Sequence, residues 1–153
     1  MLQIDITGID LNGGLVLEVN GHPNNGHSAV QRGWAVHWKV NESCDVDYIE
    51  DIQQKDISGT TDIFSSNPPR SQNPQRKTWI GIVNGTAADY SVYAYAIKWV
   101  KKGSTDIKTF DPLISVKPTS YGGNLFFLAI GVVSGVLAGF FCFSKKKKKK
   151  SWF

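Results

Sequence analysis

A chain of 153 residues leaves room for one domain of ordinary size and a short extension. Its formal charge of +4 is produced by the six consecutive lysines at its C-terminal side, without which the remainder carries −2, so the body is no basic nucleic-acid-binding surface. The two cysteines, Cys44 and Cys142, cannot staple a secreted disulfide scaffold, because the second lies in an apolar run at the far end of the chain.

Leu2, Ile4 and Ile6 alternate with Gln3, Asp5 and Thr7, the period of a half-buried strand, and Gly8 ends it. This opening has neither a basic start nor an uninterrupted apolar stretch, so it reads as a first strand and not as a signal peptide. The turn Asn12-Gly13-Gly14 introduces a second strand over Leu15 to Val19. From Asn20 to Ser28 there is almost nothing to enter a core, and a surface loop is expected.

Residues 33 to 40 give the clearest early strand. Trp34, Val36, Trp38 and Val40 share one face, Ala35, His37 and Lys39 the other, and the two indoles place this strand at the centre of the fold. Asp45 to Ile52 fits either a strand or a short helix with a wet acidic face. A short strand is expected at Asp62-Ile63-Phe64. Ser65 to Lys77, with Pro68, Pro69 and Pro74, fits neither helix nor central strand and reads as a long connecting loop. Within it, Pro68-Pro69-Arg70 is a short match to a groove-binding proline motif.

Trp79 to Val83 resumes extended structure, and Asn84-Gly85-Thr86 turns it. Tyr90 to Val100 is the longest extended run, with Tyr93, Tyr95, Ile97 and Trp99 on one face and Ala94, Ala96 and Lys98 on the other. Lys101 to Ser104 makes a hairpin, Asp106 to Phe110 returns, and Leu113 to Val116 closes the series before Pro118. Roughly seven to nine short strands without a helix predict an all-β domain over residues 1–118, an antiparallel β-sandwich of immunoglobulin-like or cupredoxin-like kind.

After a short linker at 119–124, Leu125 to Phe143 runs nineteen residues without a charge. As a helix it measures roughly 28 Å, close to the hydrocarbon thickness of a bilayer, and predicts one transmembrane segment. The tail at 144–153 carries Lys145, Lys146, Lys147, Lys148, Lys149 and Lys150, suited to anionic lipid headgroups. Gly131, Gly135 and Gly139 recur every four residues and make a stripe where two such helices can pack into a homo-oligomer. The expected location is the membrane, single-pass with a C-terminal anchor. Two rules oppose each other on orientation: the lysines favour a cytoplasmic tail, while the missing leader favours a cytoplasmic head. The second carries the expectation.

The stretch Val30 to Asn41, in which Gly33 feeds Val36-x-Trp38 and ends at Asn41, resembles the strand pattern of cupredoxin-like domains. In that family a histidine soon follows, and a late Cys, His and Met complete the copper site. Here Glu42, Ser43 and Cys44 follow, no histidine occurs after His37, and no methionine after Met1. The resemblance therefore implies the fold without its copper site.

Candidate metal ligands are His22, His27, His37 and Cys44, the first two on one loop. No nucleophile-elbow sequence frames any serine, and no glycine-rich loop ends in Lys-Ser or Lys-Thr, so no catalytic set and no cofactor is expected. Asn41-Glu-Ser and Asn84-Gly-Thr are glycosylation triplets. The leading expectation is a membrane-anchored, non-enzymatic interaction module that meets a protein or surface ligand through its loops. The alternatives are a metal-binding or catalytic head using the histidines, and a membrane-active oligomer acting through the C-terminal helix.

Overall fold

The computed structural model describes residues 1–66 and 69–118. The linker, the helix expected at 125–143 with its glycine stripe, and the lysine tail lie outside the described residues. So does Pro68.

The described residues form eleven strands and no helix. They are β1 (Leu2–Ile9), β2 (Leu15–Val19), β3 (His22–Asn24), β4 (His27–Val30), β5 (Ala35–Val40), β6 (Val46–Gln54), β7 (Arg70–Ser71), β8 (Thr78–Ile82), β9 (Val92–Lys101), β10 (Ile107–Phe110) and β11 (Leu113–Val116). One sheet has the order β3-β2-β1-β5-β8-β7; the other follows β10-β9-β11-β4, with β6 also paired to β9. The Val36-x-Trp38 strand is central, flanked by β1 and β8.

The sheets are mixed, which corrects the expectation of a purely antiparallel sandwich. β5 runs parallel to β1, with Ile4 opposite Trp38, and β11 runs parallel to β4, with Ile114 opposite Ser28. The cause is a change of sheet within residues 20–28, a stretch expected to be loop. β3 pairs with β2, the chain reverses at Asn25 and Gly26, and β4 continues in the other sheet. Gly26 has φ 91°, and the Asn24 side chain braces the bend by accepting from Gly26 N at 2.8 Å and donating to the His27 carbonyl at 2.9 Å. The segment between β1 and β5 thus becomes a crossover long enough to return the chain beside β1 in the same direction. Edge placement explains the polar composition of β3, where exposed His22 and Pro23 need no buried face and Pro23 costs no central ladder bond.

Two other expectations resolve locally. Asp45 to Ile52 is strand, and its blurred alternation has a cause: the pairing of β6 with β9 shifts between Val46 and Tyr48 and again between Ile49 and Asp51. The two irregularities turn Val46, Ile49 and Ile52 all into the core at spacings of three. The strand expected at Asp62-Ile63-Phe64 shrinks to a single bridge between Phe64 and Val83.

The core lies between the sheets. Leu2, Ile4, Ile6, Val36, Trp38 and Val40 come from one, and Ile49, Ile52, Tyr93, Tyr95, Ile97 and Trp99 from the other, all buried. At its centre Trp38 Nε1 donates to the Tyr95 hydroxyl at 3.1 Å, a hydrogen bond that joins the two sheets. Phe64 packs edge-on against both Trp38 and Tyr93, at centroid distances of 5.9 and 4.9 Å. Gly81 makes room for it, since a Cβ there would stand 2.8 Å from two Phe64 ring carbons.

Candidate functional site

The three candidate histidines sit on three strands in two sheets. His22 is exposed on β3, His27 exposed on β4, and His37 half-buried on β5 between Gln3 of β1 and Ile80 of β8. Cys44 is buried, with Sγ 3.9 Å from the Val46 carbonyl oxygen. Among the described residues no group of three or more His, Cys, Asp or Glu side chains is placed to hold a metal ion. Asn41 and Asn84 are exposed, and each side-chain oxygen accepts from the hydroxyl two residues on, Ser43 or Thr86, at 2.9 Å. Of the proline motif, Pro69 is buried and Arg70 opens the edge strand β7.

A groove lined by several polar groups lies elsewhere. It measures about 540 Å3 and is lined by Asp47 and Tyr48 of β6 and by Pro74, Gln75, Arg76 and Lys77 from the end of the proline-containing loop. Asn73 shapes that loop: its carbonyl accepts from Arg76 N at 3.0 Å and from Ser71 Oγ at 2.8 Å, and its side chain accepts from Lys77 N at 3.0 Å. Arg76 is thereby held at φ 54°, a left-handed conformation uncommon for a residue with a long side chain.

That conformation aims both ends of the residue. The Arg76 carbonyl accepts from Ile49 N at 3.0 Å and from the Trp79 indole at 3.2 Å, covering part of the free edge of β6. The guanidinium pairs with Glu50 and lies 5.9 Å from the Tyr48 ring centroid. Asp47 and Lys77 add charges of opposite sign, so the groove can exchange hydrogen bonds with a polar ligand or a partner's side chains. Its lining contains no serine, cysteine or histidine to act as nucleophile or base.

Composition and spacing carry no trace of this groove. Asn73-Pro74-Gln75-Arg76 reads only as loop, because arginine has no intrinsic preference for the left-handed region, and the loop meets β6 only once the chain is folded.

The shifted titrations lie in the core instead. Burial pushes the Tyr93 phenol well above its ordinary range, with Asp62 and Asp51 adding to the effect. Burial raises Tyr95 as well, opposed by the hydrogen bond from Trp38 and reinforced by Tyr93. Such phenols stay neutral and serve packing. In comparison with known proteins, the chain matches no family model, and no curated protein is significantly similar to it.

Proposed function

We propose that this protein is a membrane-anchored, non-enzymatic interaction module: a two-sheet β head tethered by Leu125 to Phe143, with the six lysines at the lipid headgroups. The observation that carries the reading is the uncharged run of nineteen residues followed at once by Lys145 to Lys150. The head's own residues support it, since a contiguous core is built from positions 2 to 116. Extraction of membranes at alkaline pH tests the tether. The full chain is expected in the pellet, and its recovery in the supernatant overturns the proposal. Protease protection in sealed vesicles then reads which side the head occupies.

Within that reading, the groove at Tyr48 and Arg76 is the ligand-facing site, because it gathers charged and aromatic groups on a loop held rigidly against a strand. Association of two copies runs through Gly131, Gly135 and Gly139, and Gly135→Ile is expected to weaken it in a membrane association assay. The head is of cupredoxin-like kind without the copper site. The parallel pairing of β1 with the Val36-x-Trp38 strand departs from the antiparallel sheets of an immunoglobulin-like sandwich, and the resemblance of Val30 to Asn41 is what supports the cupredoxin-like reading.

A further inference from the structure

We propose that the rim of the domain from which the chain departs is a lipid-contacting surface, with the Tyr90 side chain as its interfacial anchor. The proposal rests on the anchoring reading above and adds to it which face of the head meets the bilayer.

Tyr90 is 69% exposed and has φ 63°, a left-handed backbone that is a genuine outlier for a bulky aromatic residue. Three bonds hold it there against the last strand. Tyr90 N donates to the Val116 carbonyl at 2.9 Å, Val116 N to the Ser91 carbonyl at 2.9 Å, and Ser91 N to the Ala88 carbonyl at 3.2 Å. The preceding Asp89 is fixed by Arg32 at 2.7 Å, which also neutralises that carboxylate. The ring is thus presented outward on a braced turn beside the residues where the chain leaves the domain.

Its neighbours have matching chemistry. Lys117 is exposed and its N–H donates to the Val30 carbonyl at 2.7 Å. Ile57, 50% exposed, sits on a turn tied to the same end of β9, where Thr61 N donates to the Val92 carbonyl at 2.8 Å. Asp56 on that turn is the opposing charge. Asp62, next to Thr61, is a second exposed carboxylate, so it is the tyrosine and the aliphatic side chain, with Lys117 as the cation nearest the exit of the chain, that suit a bilayer interface.

The exit of the chain beside this rim, just ahead of the apolar run, points to a bilayer as the occupant. Six residues separate Pro118 from Leu125, and even fully extended they span at most roughly 25 Å. The chain thus leaves the described domain at this rim, six residues before the apolar run begins. The β1–β2 turn lies at the other end of β1, away from it, and carries the fully exposed Leu11 as an internal contrast.

The test uses the full chain with Cys142→Ser in nanodiscs containing anionic lipid, labelled with an environment-sensitive fluorophore at Tyr90→Cys, Ile57→Cys or Leu11→Cys. Probes at 90 and 57 are expected to shift to the blue and to be quenched by lipid carrying a nitroxide near the headgroup, while the probe at 11 stays water-like. In the unsubstituted chain, the same lipid is expected to broaden the Ser91 and Lys117 amide resonances and to spare Asn12 and Gly13. Chains that float with lipid but show water-like probes at 90 and 57 and unbroadened amides overturn the rim alone. Chains that do not float overturn the anchoring and the rim together.

Discussion

The bond between Trp38 and Tyr95 ties the sheets together at a point where neither group can reach water. In Tyr95→Phe the Trp38 N–H is left buried without its acceptor, a loss of about 1–3 kcal/mol. Urea unfolding reads it, and the double variant Trp38→Phe/Tyr95→Phe is expected to lose less than the sum of the single changes, since no orphan donor remains. The same burial sets a pH limit. The Tyr93 and Tyr95 phenols are raised on folding, so the folded state binds their protons more tightly than the unfolded chain does. Their contribution to stability is complete below the unfolded value of about 10 and is lost as pH climbs from there towards the folded values. The denaturation midpoint is expected to fall above about pH 10, and absorbance at the phenolate band should show Tyr93 and Tyr95 ionising together with unfolding.

Edge strands decide whether such a domain remains a monomer at the level of its elements. β6 is nine residues long and pairs with β9. Its acidic residues and two irregularities already discourage strand addition, and the Arg76 carbonyl occupies the N–H of Ile49. In a chain ending after Pro118, which lacks the glycine stripe, Arg76→Pro forces φ to about −65° and removes the N–H that bonds Asn73, so a loss of about 1–3 kcal/mol is expected, with dimers or larger species in size-exclusion chromatography. Arg76→Gly keeps the left-handed turn at no steric cost and is expected to stay monomeric while losing the Glu50 and Tyr48 contacts. Equal behaviour of the two variants would show that the backbone conformation is irrelevant to edge protection.

For the whole molecule, a chain ending after Pro118 is expected to unfold cooperatively and to remain in the supernatant under conditions that sediment the full chain. Circular dichroism and fractionation check the two statements. The faces of the central strands were legible in the amino-acid order: Val36, Trp38 and Val40, and Tyr93, Tyr95, Ile97 and Trp99, are buried as their alternation requires. β3 and β4 were not legible, because His-Pro-Asn and His-Ser-Ala-Val are too short and too polar to show an apolar period. The Arg76 groove was hidden for a different reason, being made by a loop and a strand more than twenty residues apart.

Sequence alone determined that the domain is all-β, which side chains face its interior and that the indole-bearing strand is central, since period-two burial is a local property of each strand. Only the tertiary structure decided which strands pair, that β1 with β5 and β4 with β11 run parallel, and that the Tyr95 hydroxyl accepts a hydrogen bond from the Trp38 indole across 57 residues. Those outcomes depend on the reversal at Asn25 and Gly26 and on contacts between distant segments, and pairing between distant segments leaves no period in the chain.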